Sequence, residues 1–105
     1  MGKVVIKHQA TAGTAESSDI QIVIDGNDNG VDINLVSSVE NQFGKQIRKV
    51  IRETLDHLGV ENAKIVAVDK GALDCTIVAR VTAAVMRSAD QNKDYDWEAL
   101  DTWNA

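Results

Sequence analysis

Seven apolar residues, Val39, Phe43, Ile47, Val50, Ile51, Leu55 and Leu58, recur at steps of three, four or one along twenty positions of the chain. A helix gathers them into one stripe, and any fold of this sequence has to cover that stripe. Ser37 and Glu40 have the spacing of a capping box, in which the hydroxyl accepts from a first-turn amide and the carboxylate reaches back. Gly59 suits the left-handed position just past a helix C-terminus. The spacing therefore predicts a helix over about 38–58, with Phe43, Ile47, Ile51 and Leu55 buried.

Elsewhere the period is two. Ile20, Ile22 and Ile24 alternate with Asp19, Gln21 and Val23, and Val31, Ile33 and Leu35 alternate with Asp32 and Asn34. These are strands. The segment Asp25-Gly26-Asn27-Asp28-Asn29-Gly30 between them is rich in turn formers, which suggests a hairpin. A third strand is expected over Val60–Val68, then a turn at Asp69-Lys70-Gly71. A fourth is expected over Cys75–Ala83, where Cys75, Ile77, Ala79 and Val81 fall on one face. Ala83–Ala89 has the composition of a short closing turn of helix. The expected architecture is α+β, ββαββ: a four-stranded sheet of two hairpins with one amphipathic helix on one face. One domain spans 1–105. It has a flexible arm over 1–17, a folded core over 18–87 and a polar tail over 88–105, in which Trp97, Leu100 and Trp103 stand at helical spacing.

Composition narrows the function classes. Among 105 residues, sixteen acidic against eleven basic side chains leave a net charge of −5. Nucleic acid is not expected as a partner, because phosphates demand a basic footprint. The longest apolar run near the start, Val4–Ile6, is too short for a membrane span, so no membrane partner is expected. With Cys75 as the lone cysteine no internal disulfide can form, and a reducing, cytoplasmic location is the simpler expectation.

No catalytic or metal centre is expected. His8 and His57 have no second ligand at metal spacing. Asp25-x-Asn27-x-Asn29-Gly30 opens like a calcium loop, but Val36 stands where the bidentate Glu belongs. Cys75 sits on an apolar face and is expected in the core. No serine has a base at motif spacing. The Ser17-Ser18 pair joins a small-residue arm to the first strand, where it should be exposed and within reach of a modifying enzyme.

Three blocks carry a resemblance: Ala12-Gly13-Thr14-Ala15-Glu16-Ser17-Ser18-Asp19, Ser37-Ser38-Val39-Glu40-Asn41-Gln42-Phe43-Gly44 and Asp69-Lys70-Gly71-Ala72-Leu73-Asp74-Cys75. In this order and spacing they resemble the acyl carrier protein, or gamma, subunit of citrate lyase, over roughly residues 10–87. The resemblance implies a non-catalytic subunit. It implies that Ser17 (Ser18 less so) is the attachment point of a covalent 2'-(5''-phosphoribosyl)-3'-dephospho-CoA group bearing acetyl or citryl thioesters. The implied partners are the alpha (transferase) and beta (lyase) subunits and the holo-carrier transferase. Ser18 stands where that family usually has Gly. Carriers of malonate decarboxylase or citramalate lyase are alternatives, as is an unmodified protein-interaction module.

Overall fold

A computed structural model describes residues 4–38 and 40–89, with the side chains of Glu40 and Asn41 left aside. Along the chain come β1 (Ala10–Ala12), β2 (Ile20–Asp25), β3 (Val31–Ser37), α1 (Glu40–Leu58), β4 (Ala63–Asp69) and α2 (Asp74–Ser88). The strands form one sheet in the order β1-β2-β4-β3. The α+β class and the four-stranded sheet agree with the expectation from sequence. The path of the chain through them does not.

The strand β4 lies in the middle. It pairs antiparallel with β2, Ile22 opposite Ala67, and parallel with β3, Ile33 opposite Ile65. Thus β3-α1-β4 is a parallel crossover unit, the connection that parallel neighbours require. The expected hairpin between β2 and β3 does not form, because β4 is inserted between them. Two inter-strand spacings make a gap of about 10 Å, which the turn-rich 26–30 segment is long enough to cross. That loop is held by its own side chains: Asn27 Nδ2 donates to the Gly30 carbonyl at 3.1 Å and to Asp32 Oδ2 at 3.2 Å. Asn62 Oδ1 accepts from the Gly30 amide at 2.8 Å.

The fourth strand expected over Cys75–Ala83 is instead the first part of α2, so the chain carries two helices and the ββαββ order is corrected. Its β-branched residues alternate, but the buried set Ile77, Val81, Ala84, Val85 and Ser88 follows the helical period. Packing against the sheet and α1 overrides a β preference that depends on context. Cys75 is therefore not core; it is exposed in the first turn of α2. The missing strand is supplied by β1, inside the segment read as a flexible arm. Its Thr11 pairs with Val23, and Arg87 Nη1 donates to the Thr11 carbonyl at 2.8 Å. Ile6 is buried, and the Lys7 and His8 amides donate to the Ser88 carbonyl.

Both helices cover one sheet face. Ile20, Ile22, Ile24, Leu35, Ile65 and Ala67 point into the same core as Ile47, Ile51, Leu55, Ile77, Val81 and Val85. Gly59 ends α1 with φ +81°, and the Val60 amide reaches back to the Leu55 carbonyl at 2.9 Å, as a glycine C-terminal cap does. Phe43, expected in the core, is 51% exposed. It lies on the apolar stripe one turn before Ile47, and helical side chains lean toward the N-terminus. Its ring therefore extends past the end of the buried stripe. Val39, Trp97, Leu100 and Trp103 lie outside the described residues.

The two positions make a test of this packing. Ile51→Ala should cost roughly 2–5 kcal/mol in urea unfolding, the range for a buried aliphatic truncation. Phe43→Ala should cost under about 1 kcal/mol, since half of the ring is already in water.

Candidate functional site

The start of β2, the ends of β3 and β4 and the starts of both helices share one end of the sheet, since Ile20 and Ser37 both stand opposite Asp69. The loop from β1 to β2 lies at this end. Gly13 opens it with φ +82°, and a Cβ there would fall 1.9 Å from the Ile20 carbonyl oxygen. Only glycine fits that close approach.

Beyond Gly13 the chain makes a β-turn closed by the Asp19 amide donating to the Glu16 carbonyl at 3.1 Å. Ser17 and Ser18 are its two central residues, and both are exposed. Ser18 adopts φ +64°, a left-handed conformation that costs a side-chain-bearing residue about 1 kcal/mol and glycine much less. This turn explains why a glycine suits the place that Ser18 fills. The Ser18 amide donates to the Lys70 carbonyl at 2.8 Å, and the Lys70 amide donates to the Asp19 carbonyl at 2.9 Å. Ser17 makes no hydrogen bond among the described residues. The hydroxyls of Ser17 and Ser18 are both open; the two residues differ in that the Ser18 backbone is tied to Lys70.

Asp19 clamps the base of the loop. Its Oδ2 accepts from Thr14 Oγ1 at 2.7 Å and from the Thr14 amide at 3.1 Å. Oδ1 accepts from the Ile20 amide at 2.7 Å and from Arg80 Nε at 3.0 Å. Burial works against the charge, but the bonds from Thr14, Arg80 and Ile20, with the nearby guanidinium, outweigh it and bring the pKa from 3.8 to about 2. The facing turn has its own carboxylate. Asp69 is 1% exposed and accepts from Ser37 Oγ at 2.8 Å, the Gly71 amide at 3.1 Å and the Ala72 amide at 3.0 Å. Both sides of the Ser17 turn are therefore fixed to the sheet end.

Among the described residues no base is hydrogen-bonded to Ser17. The Asp19 carboxylate is engaged with Thr14, Ile20 and Arg80. His8 precedes β1 and His57 lies in the last turn of α1, both at the far end of the sheet. Among the described residues no three His, Cys, Asp or Glu side chains are grouped as metal ligands. Ser17 and Ser18, expected at the end of a flexible arm, lie instead in the loop that joins β1 to β2. Sequence reading did not assign Thr14, Arg80 and Lys70 to the site. Arg80 is 61 positions from Asp19, and no local pattern connects them.

Comparison with known proteins shows the family and the fold. Residues 7–88 match a family model described as malonate decarboxylase delta subunit (MdcD), an acyl carrier family. A citrate lyase acyl carrier protein of Lacticaseibacillus casei is 61% identical over 98 residues, covering 93% of this chain and 96% of the relative. One from Streptococcus mutans is 58% identical over 101 residues, covering 95% and 98%. The chain belongs to the citrate lyase acyl carrier protein family. Within solved structures, a chain of a Pseudomonas malonate decarboxylase hetero-tetramer in complex with malonate shares this carrier's fold at a TM-score of 0.69. The match covers 82% of this chain and 89% of that one at 17% identity. This likeness concerns the fold alone.

The clamp has a pH signature. Because the folded pKa of Asp19 lies below its ordinary value, its stabilisation is present in full above about pH 4 and is lost as pH falls toward 2. The side chain is 14% exposed at the rim of the sheet, so the contribution is about 1 kcal/mol after solvent screening. Asp19→Asn should lower stability by about that much at pH 7 in urea unfolding, and the difference should close near pH 2.

Proposed function

We propose that the chain is the acyl carrier subunit of a citrate lyase, with Ser17 as the residue that bears its covalent prosthetic group. The observation that carries this reading is the Ser17 hydroxyl, exposed and unbonded at the tip of a turn whose base is clamped on both sides. The names of the relatives support the carrier role. The turn fits a large attachment: beside it, a Cβ built on Gly71 would meet nothing within 4 Å, so the space there is open.

The group is 2'-(5''-phosphoribosyl)-3'-dephospho-CoA, joined through a phosphodiester, and when bound it supplies a terminal thiol that bears acetyl and citryl thioesters. The residues of the chain anchor and orient it. Ser17 provides the ester oxygen, Ser18 and Asp19 fix the turn against Lys70, and Arg80 holds Asp19. A tether rooted in a fixed turn keeps its end at high effective concentration near partner active sites. The partners are the alpha subunit, which exchanges acyl groups, the beta subunit, which cleaves the citryl chain, and the transferase that installs the group. The carrier itself needs no acid, base or metal, because the chemistry belongs to the cofactor and the partner subunits. A reducing cytoplasm fits the lone thiol of Cys75. Citrate lyase is preferred to malonate decarboxylase because the relatives named for citrate lyase are 58% and 61% identical over nearly the whole chain.

Intact mass after incubation with the cognate transferase tests the assignment. Ser17→Ala should gain no cofactor mass and keep its melting temperature, and Ser18→Ala should be modified fully. Full modification of Ser17→Ala would reject Ser17.

A further inference from the structure

The turn that carries Ser17 faces a second turn with a cation at its tip. Lys70 is exposed, and it forms no ion pair among the described residues. Its backbone is bonded in both directions to the residues that follow Ser17: the Ser18 amide donates to its carbonyl at 2.8 Å, and its own amide donates to the Asp19 carbonyl at 2.9 Å. The buried carboxylate of Asp69 holds the next two amides, those of Gly71 and Ala72. Lys70 is thus placed by a built turn and not by a loose loop.

Arg80, at the base of the same loop, is already committed. It spans both oxygens of Asp19, at 3.0 and 3.4 Å. Glu16, exposed in the same turn as Ser17, adds negative charge. An oxyanion esterified to Ser17 would therefore have an acidic neighbour and only one uncommitted cation on the facing turn. Ser17 lies one residue, about 3.8 Å, from Ser18, and the four-carbon stem of a lysine spans that distance easily.

We propose that Lys70 is a positioning residue for the phosphoester on Ser17, pairing its ammonium with the phosphoryl oxygens and directing the root of the tether across the turn. The inference rests on Ser17 as the attachment residue. It explains why a lysine occupies the tip of a turn whose backbone is tied to the attachment loop.

A phosphoserine encoded at position 17 tests the pair without any transferase. Its second ionisation falls at about pH 6 and is followed by phosphorus NMR. Lys70→Ala should raise the proton affinity of that phosphate about threefold at low salt, the size of an exposed ion pair. Lys70→Arg should restore the original midpoint, and added salt should erase the difference between variants. Melting temperatures of all three proteins should agree, because the Lys70 side chain is in solvent. An unchanged midpoint in Lys70→Ala, or an Arg variant that fails to restore it, would overturn the proposal. The attachment reading fails separately, on the absence of cofactor mass at Ser17 in transferase-treated protein with its native serine.

Discussion

The strand β4 has to satisfy hydrogen-bonding partners on both of its edges, antiparallel to β2 and parallel to β3. That requirement organises the molecule. It separates two strands that are neighbours in sequence, and it makes α1 the crossover between β3 and β4. It also brings the beginning of β2 level with the ends of β3 and β4. Ala63, Ile65 and Ala67 are fully buried on its inner side. The last inward place on β4 belongs to Asp69, a buried charge, and its cost is offset by the Ser37 hydroxyl and the two amides it accepts from.

From that buried carboxylate outward, the end of the sheet becomes progressively more polar and ends in an open serine. Asp69 sets the turn of Lys70, and Lys70 holds Ser18 and Asp19 through the backbone. Asp19 in turn gathers Thr14 and Arg80. Among the described residues Ser17 is left as the member of this set with no hydrogen-bond partner. A carrier needs an anchor that stays put while the attached arm sweeps, and that demands a rigid root with a free hydroxyl, not a reactive one.

Much of this was legible in the chain. The stripe from Ile47 to Leu58, the alternation at 20–25 and 31–35 and the cap at Gly59 each record a local period or a local conformational need, and the structure agrees with them. What depended on distant partners was hidden. Residues 75–83 alternate like a strand, and only the sheet and α1 make the helical set of Ile77, Val81 and Val85 the buried one. The small residues of β1 carry little signal until β2 offers them an edge. Phe43 belongs to the apolar stripe, yet its burial depends on where the buried stripe stops, which no periodicity records. At the site, the resemblance of the Ala12–Asp19 block is the ground on which Ser17 is proposed. The pairing of Asp19 with Arg80 across 61 positions could not be seen without the fold.

The central claim is that the Ser17 turn is a fixed root, tied to the end of β4, and not a flexible arm. Amide hydrogen exchange measures this directly. The account predicts that the Ser18 and Lys70 amides, each bonded to a carbonyl of the facing turn, exchange at least about tenfold more slowly than the free amide of Ser17. In Asp19→Asn their protection should fall while that of Ile65 is retained. Exchange of the Ser18 and Lys70 amides at the rate of an unstructured peptide in the native protein would contradict it.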